Sequence, residues 1–131
     1  MINTILSNRT ITDRDAVMFD IDDTLIYSNG TPNKPIIKLL QQAMFMGYRI
    51  VIITARPCFS EAVTYTENQL DEHGIVYDDL VFTSPENKSI YKKESGLNYV
   101  LSVGDLDTDL TDSEYIIKTN PQSFTMCILL W

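Results

Sequence analysis

Short apolar runs separated by helical patterns constrain the fold of this chain most. Mostly apolar runs cover residues 16–19, 50–53, 80–82 and 99–103, and residues 115–118 form a fifth candidate strand. Between them, apolar residues recur at helical spacing, and Ser60 and Ser84 stand where helix N-caps belong. Buried strands that alternate with helices indicate a parallel sheet covered on both faces. We therefore predict an α/β fold, a Rossmann-like three-layer sandwich with a parallel central sheet.

Length and charge narrow the class of protein. The 131 residues, of which 44% are hydrophobic, predict one domain spanning residues 1–131. A formal net charge of −8 argues against a protein that coats nucleic acid, so a nucleic acid is expected only as a substrate. Cys58 and Cys127 have no CxxC spacing, and no signal peptide or membrane-length apolar run is recognised, which favours a cytoplasmic protein without membrane contact.

Polar residues directly follow the predicted strands. In parallel sheets, ligands bind at these carboxyl ends of the strands. The first strand is followed by DIDDT, the second ends at Thr54, the fourth is followed by GDLDTD, and Lys88 lies near the start of the helix before the fourth strand. Carboxylates crowded at neighbouring strand ends repel one another unless a cation lies among them. An all-oxygen ligand set suits Mg²⁺, which also takes phosphate oxygens.

These residue types suit phosphoryl transfer. The hydroxyl of Thr54 can bind a phosphoryl oxygen, and a lysine can neutralise another. One carboxylate after the first strand can attack phosphorus and form an aspartyl phosphate. A second carboxylate two residues further can protonate the leaving group and later deprotonate the attacking water.

The same residues resemble the four motifs of the haloacid dehalogenase superfamily of phosphohydrolases, in order, from about Val17 to Asp109. DIDDT fits its DxDxT loop, IITAR its strand-ending Thr/Ser motif, Lys88 its lysine, and GDLDTD its GDxxxD motif. The string ITARP, followed by a helix and HGIVYDDLVF, is also similar to the phosphatase module of polynucleotide kinase–phosphatases and to small acid phosphatases.

The resemblance implies a role for each matching residue. Asp20 would be the nucleophile and a Mg²⁺ ligand, and Asp22 the general acid/base with its backbone carbonyl on the metal. Thr54 and Lys88 would bind the phosphoryl group, Asp105 would be a metal ligand, and Asp109 would support the metal. An acid at position 22 implies a phosphatase, since the family's dehalogenases lack one there.

Several assignments stay open at this stage. Lys92 and Lys93 compete with Lys88, and Asp107 competes with Asp109 as a metal ligand. Arg56 is either a phosphate clamp or part of a structural salt bridge. Asp23 and Thr24 are expected to brace the loop. The later loop residues either touch substrate or have only ordinary loop roles: Tyr27, Ser28 and Asn29.

The spacing between motifs leaves no room for an inserted cap domain. Thr24 and Thr54 are 30 positions apart, and Thr54 and Lys88 are 34 apart, nearly all needed for helices and strands. An open site is therefore expected, which in the family favours bulky substrates such as polynucleotide ends or phosphoproteins, or a lid from a partner subunit. The apolar residues Ile128 to Trp131 suggest a contact in a homo-oligomer.

Three other classes of protein compete with a phosphatase. A catalytically silent family member that binds or scaffolds would keep the same fold, and a phosphotransferase would keep the same residues. A response-regulator receiver needs a phosphorylated aspartate at the end of a middle strand, but the corresponding strands here end at Thr54 and at Thr83–Ser84. The receiver is thus the weakest of the three alternatives.

Overall fold

A computed structural model describes residues 1–120 as alternating strands and helices. The strands are β1 (Asp15–Phe19), β2 (Arg49–Thr54), β3 (Asp79–Phe82), β4 (Asn98–Gly104) and β5 (Ser113–Lys118). The α-helices are α1 (Ile2–Ser7), α2 (Lys34–Met46), α3 (Ser60–Glu72) and α4 (Lys88–Ser95), and single 3₁₀ turns cover Pro85–Asn87 and Asp107–Asp109.

The five strands form one parallel sheet in the order β3-β2-β1-β4-β5. From β1 the chain moves outward through β2 to β3, and then returns across the sheet to β4 on the other side of β1. Right-handed crossovers that run in opposite directions place their helices on opposite faces. The connections therefore diverge between β1 and β4, which is where open α/β sheets form a binding crevice.

Side chains of β1 show the three layers. Val17 and Phe19 belong to a core cluster that also contains Leu40 of α2 and Leu70 of α3. Alternate residues of the strand, including Met18, pack in a second cluster with residues of β2 and β4 and with Tyr91 of α4. All five residues of β1 are buried, as expected for a strand covered on both faces. The predicted three-layer sandwich is confirmed.

The observed ends of the helices agree less closely with the ends predicted from the sequence. Gly47 ends α2 in the left-handed conformation, with φ of 108°, which glycine adopts without steric cost. The prediction that Ser60 is an N-cap is wrong, because Phe59 occupies that position and Ser60 is the first helical residue. Ser84 precedes the 3₁₀ turn, but its side chain makes no capping hydrogen bond, and α4 begins three residues after Pro85.

Some sequence features lie elsewhere or were not anticipated. The sequence patterns did not predict α1, whose Leu6 is buried and whose Leu6 carbonyl accepts a 2.6 Å hydrogen bond from Tyr48 Oη. The predicted C-terminal contact of Ile128 to Trp131, and Cys127, lie outside the described residues. Within residues 1–120, no helix has both the length and the apolar character needed to cross a membrane.

Candidate active site

Asp20 lies at the centre of the candidate site, directly after β1. Its backbone N–H donates to the carbonyl oxygen of Val103 in β4 at 3.0 Å, which holds the residue between the two central strands. The Asp20 side chain is buried. This position is the crevice where the chain connections diverge, so Asp20 occupies the place where this type of sheet binds ligands.

Lys88 brings a positive charge to Asp20 from the opposite side of the crevice. The 3₁₀ turn Pro85–Asn87 precedes it and makes it the first residue of α4. Its buried Nζ lies 3.1 Å from Oδ1 of Asp20 and 2.5 Å from Oδ1 of Asp109. The single positive charge of Lys88 is therefore shared between two carboxylates, one that follows β1 and one that follows β4.

The other two lysines of α4 are placed differently. The buried Lys92 donates from Nζ to the carbonyl oxygens of Asp109 at 2.6 Å and Thr111 at 2.8 Å, and so holds the backbone of that loop. Burial lowers the pKa of Lys92 to about 8. The side chain of Lys93 is 69% exposed. Of the three candidates, Lys88 alone makes ion pairs with the carboxylates of the site in the described part of the chain.

Asp109 is fully buried, whereas Asp107 points to solvent. Oδ2 of Asp109 accepts a hydrogen bond of 3.1 Å from the backbone N–H of Leu106. A Cβ atom at Gly104 would collide with the Asp109 side chain, so this close approach requires glycine there. The side chain of Asp107 is 89% exposed and pairs with Lys118 at 2.9 Å. The geometry thus favours Asp109 over Asp107 as a member of the site.

The site concentrates negative charge. Oxygen atoms of Asp20, Asp105 and Asp109 lie within 4.8 Å of one another, and Lys88 offsets only one of the three charges. Burial and the charge of Asp109 raise the pKa of Asp20 to about 8. Burial also raises the pKa of Asp105. Burial opposes the charge of Lys88, but the carboxylates of Asp20 and Asp109 outweigh it and raise the Lys88 pKa.

The raised pKa of Asp20 predicts a pH-dependent stability of the metal-free protein. Between pH 4 and pH 8, the folded protein keeps a proton on Asp20 that the unfolded chain has lost. Its free energy of unfolding should therefore fall as the pH rises through this interval, by up to about 1.4 kcal/mol per pH unit. Lys92, with its pKa of about 8, changes stability mainly above this interval.

Thermal unfolding between pH 5 and pH 8, with and without Mg²⁺, tests this expectation. A cation bound among the carboxylates should raise Tm, and should raise it more at pH 8 than at pH 5. A cation present at a hundredfold excess over its Kd stabilises the folded protein by about 2.7 kcal/mol. A metal-free Tm that rises steadily from pH 5 to pH 8 would contradict the electrostatics described for Asp20.

Asp22 and Arg56 form a bidentate ion pair at the edge of the site. Nη2 of Arg56 lies 2.9 Å from Oδ1 of Asp22, and Nε lies 3.1 Å from Oδ2. Nη1 of Arg56 also donates to the hydroxyl of Thr66 in α3 at 3.2 Å. The sequence left Arg56 as either a phosphate clamp or part of a salt bridge. The structure shows a salt bridge, and the partner of Arg56 is Asp22, the predicted general acid.

The loop after Asp22 is braced by its own side chains. Asp23 has a left-handed φ of 59°, and its Oδ1 accepts hydrogen bonds from the hydroxyl and the backbone N–H of Ser28. The buried hydroxyl of Thr24 lies 3.1 Å from that of Thr119, which donates to the carbonyl oxygen of Asp23 at 2.8 Å. These contacts agree with the bracing roles expected for Asp23 and Thr24.

Thr54 ends β2, the strand next to β1 in the sheet. The residue is fully buried, and its hydroxyl oxygen accepts a 3.1 Å hydrogen bond from the backbone N–H of Arg56. That hydrogen bond leaves the hydroxyl proton of Thr54 available to another acceptor. The position and the free donor are those expected of a phosphoryl-binding threonine.

A cleft of about 470 Å³ opens beside Asp22 and Arg56. We call it the side cleft; its other walls include Tyr27 of the loop after β1, and Tyr65 and Gln69 of α3. Tyr27 was a candidate from the sequence, whereas Tyr65 and Gln69 were not. Their only signal is a spacing of four residues on one helix, which predicts a shared face but not what that face borders.

The fold and the site together define an α/β protein with a largely buried acidic cluster and one lysine at the crevice of a parallel sheet. A family model described as haloacid dehalogenase-like hydrolase matches residues 17–98. The chain belongs to this family. The matched segment includes Asp20, Asp22, Thr54 and Lys88 and ends before Asp105 and Asp109.

Two solved structures contain chains with a similar fold. One is a structure of a Pnkp1/Rnl/Hen1 complex, with a TM-score of 0.66 and 20% identity over 91% of this chain and 50% of the other. The second, of the Pnkp1/Rnl/Hen1 RNA repair complex, has the same TM-score and identity over 89% and 46%. This chain thus spans about half the length of either neighbour. Among curated proteins, no sequence matches it.

Proposed function

We propose that this protein is a Mg²⁺-dependent phosphomonoester hydrolase with Asp20 as nucleophile and Asp22 as general acid/base. The observation that carries this proposal is the cluster of Asp20, Asp105 and Asp109, in which Asp20 and Asp109 are buried against the ammonium of Lys88 and Asp105 is half-buried. Membership of the haloacid dehalogenase-like hydrolases supports the reaction class. The alternatives of a silent binding protein and a phosphotransferase are separated by the experiment below.

The residues present fit a divalent cation. Three carboxylates within 4.8 Å offer oxygen ligands, and one lysine leaves the cluster with a net negative charge. Mg²⁺ prefers such ligands and keeps sites open for phosphate oxygens. Asp20, Asp105 and Asp109 would hold it, together with the backbone carbonyl of Asp22. When bound, the ion supplies positive charge that favours an ionised Asp20 and offsets the charge of the phosphoryl group.

Asp20 performs the first half of the proposed reaction. One of its carboxylate oxygens forms a bond to phosphorus, and the bond between phosphorus and the ester oxygen breaks. Asp22, in its protonated form once Arg56 has released it, gives a proton to that oxygen, and the alcohol departs. Water then attacks phosphorus while Asp22 takes a proton from the water, and the bond between Asp20 and phosphorus breaks. Inorganic phosphate leaves, and Asp20 and Asp22 return to their starting protonation states.

Three residues bind the phosphoryl oxygens in this proposal. Thr54 donates its hydroxyl proton, and Lys88 contributes a charge that already lies beside Asp20. Arg56 is held by Asp22 before substrate arrives. A phosphoryl group can also pair with a guanidinium through two hydrogen bonds, so exchange of Asp22 for the phosphoryl group on Arg56 would release Asp22 toward the leaving group.

We further propose a single domain with an open site and no inserted cap, which leaves room for a bulky substrate. The observed connections support this: α2 and its flanking loops link β1 to β2, and α3 with β3 links β2 to the turn before α4. The fold shared with a chain of an RNA repair complex makes a phosphorylated nucleic-acid end one substrate to test. A cytoplasmic location and a homo-oligomer remain expectations from the sequence.

Hydrolysis of p-nitrophenyl phosphate by wild type and Asp22→Asn tests the proposal. The variant should lower kcat by about 10²- to 10⁴-fold, because the leaving oxygen loses its proton donor, while substrate binding largely survives. Activity should require Mg²⁺ and disappear with EDTA. Asp13→Asn, an exposed aspartate outside the site, is the matched control and should keep full activity.

The alternatives make different predictions for the same assay. Full activity in Asp22→Asn would remove Asp22 from the acid role. Transfer of phosphate to an added alcohol, in preference to water, would identify a phosphotransferase. A protein that binds Mg²⁺ but hydrolyses neither this ester nor a phosphorylated oligonucleotide or peptide would be the silent family member.

A further inference from the structure

The side cleft begins at the residue proposed to protonate the leaving group. Asp22 and Arg56 border it on one side, and Tyr27, Tyr65 and Gln69 form other parts of its wall. Because Asp22 gives its proton to the ester oxygen in the proposed reaction, the group attached to that oxygen must lie near Asp22. The side cleft is therefore the part of the protein that meets the alcohol portion of the substrate.

The charges around the side cleft exclude a strongly anionic alcohol. Arg56 is its one basic lining residue in the described chain, and Asp22 its one acidic residue. These two groups form a bidentate ion pair with each other, so the lining offers no uncompensated positive charge. The whole chain carries a net charge of −8. A leaving group with further phosphates would find no positive charge to pair with in the side cleft, whereas an uncharged leaving group needs none.

The walls of the side cleft are aromatic and amide-bearing. Tyr65 is 64% exposed on α3, and Tyr27 borders the cleft from the loop after β1. Gln69 lies one helical turn after Tyr65, and its buried Oε1 has no hydrogen-bond partner among the residues that the structure describes. An unpaired buried carbonyl oxygen is unusual, and the terminal torsion of a glutamine is broad enough to turn it toward a ligand.

We propose, building on the proposed phosphatase function, that the side cleft binds the nucleoside of a nucleoside phosphomonoester. A nucleobase presents a flat face to Tyr65 and Tyr27 and an N–H donor to the unpaired oxygen of Gln69. The cleft volume of about 470 Å³ is in the range of small-molecule sites. The ester bond broken joins phosphorus to a sugar hydroxyl oxygen, which takes its proton from Asp22, and the nucleoside leaves as a neutral alcohol.

A phosphotyrosine side chain fits these features less well. Its ring is also flat and uncharged, but its one polar atom is the ester oxygen, so it carries no donor for Gln69. A nucleoside has both the ring and additional N–H or O–H donors. The same ester bond would break in a free nucleotide and in a nucleotide at the end of a strand, but the strand adds phosphodiester charges that the lining of the side cleft does not neutralise, so the free nucleotide is the expected substrate.

The first experiment compares kcat/KM for adenosine 3′-monophosphate and for glycerol 2-phosphate in wild type and Tyr65→Ala. Wild type should prefer the nucleotide. The variant should lose about tenfold or more in kcat/KM for the nucleotide, chiefly through KM, and keep its activity on glycerol phosphate. Tyr65→Phe should keep the preference, because the ring remains. Tyr115→Ala, another exposed tyrosine, on β5, is the matched control.

A second variant and a second pair of substrates sharpen the test. Gln69→Leu should weaken nucleotide binding without changing turnover of glycerol phosphate. A dinucleotide with a 3′-phosphate adds one phosphodiester charge and should have a lower kcat/KM than the mononucleotide. A dinucleotide that matches or exceeds the mononucleotide would overturn the selection of an uncharged leaving group by the side cleft. A preference for a phosphotyrosine peptide over both nucleotides would overturn the assignment.

Failure of the side-cleft proposal can be told from failure of the phosphatase proposal. If glycerol phosphate is hydrolysed but the nucleotide is no better and Tyr65→Ala changes neither, the side-cleft proposal is overturned and the phosphatase remains. If no ester is hydrolysed, calorimetric titration of wild type and Tyr65→Ala with adenosine 3′-monophosphate decides. Binding that depends on Tyr65 supports the side cleft alone, and no binding overturns it.

Discussion

Asp20→Asn should abolish phosphatase activity and yet stabilise the metal-free protein at pH 8. The amide cannot attack phosphorus, so activity should fall by at least about 10³-fold. The same change removes a buried carboxylate whose pKa is raised to about 8 by burial and by Asp109. Tm of the variant should therefore exceed that of wild type at pH 8, by about 4 °C for each kcal/mol gained.

The two readouts of Asp20→Asn have different controls. Activity is compared with that of Asp13→Asn, and stability is compared at pH 5 and pH 8, because the wild-type penalty grows as the pH rises. Tm of the variant should depend less on pH, and the variant should gain less from Mg²⁺ because a ligand is lost. A variant with reduced activity and a lower Tm than wild type at pH 8 would show that the Asp20 charge is well compensated without metal.

Lys88→Met should cost both activity and stability. The ammonium is buried and lies 3.1 Å from Asp20 and 2.5 Å from Asp109. Its removal leaves two buried carboxylates without a partner, a change that typically costs about 3–5 kcal/mol. The free energy of unfolding of native domains is only about 5–15 kcal/mol, so Lys88→Met should remove a large fraction of it. Urea unfolding at pH 7.5 measures the loss.

Lys93→Met, on the same helix, is the matched control for Lys88→Met. The side chain of Lys93 is 69% exposed and pairs with Asp112 at 3.8 Å, so its loss should change stability by at most about 0.5 kcal/mol. The double variant Asp20→Asn, Lys88→Met should recover part of the stability lost in Lys88→Met, because one uncompensated charge is removed. Equal stability of the two methionine variants would refute the buried charge network.

Local patterns predicted the central strands well because β1 is fully buried and β2 and β4 are buried at all but their first residue, whereas β3 is half-buried and β5 is partly exposed. In β1, burial on both faces produces an apolar run that no amphipathic helix would show. Helix ends were harder. Ser60 has the residue type of an N-cap, but Phe59 takes that position. The helix α1 has six residues, no side-chain cap and one buried residue, so its stability depends on contacts such as that between Tyr48 and the Leu6 carbonyl.

The carboxylates of the site were predictable from their order along the chain, because parallel strands end at the same edge of the sheet. Their partners were not. The sequence favours Lys88 but leaves Lys92 and Lys93 as competitors, and the start of α4 decides which ammonium reaches Asp20. The pair of Arg56 with Asp22 joins residues 34 positions apart, and only the packing of two loops brings them together.

The amino-acid sequence by itself determined the class of fold, the alternation of its elements and the acidic residues that follow β1 and β4, because burial and turn chemistry act over a few residues. The tertiary structure decided the strand order, the choice of Lys88, the burial of Asp109 against Gly104 and the side cleft lined by Tyr65 and Gln69. Those features depend on distances between residues far apart in the chain, which only the packing of helices on the sheet sets.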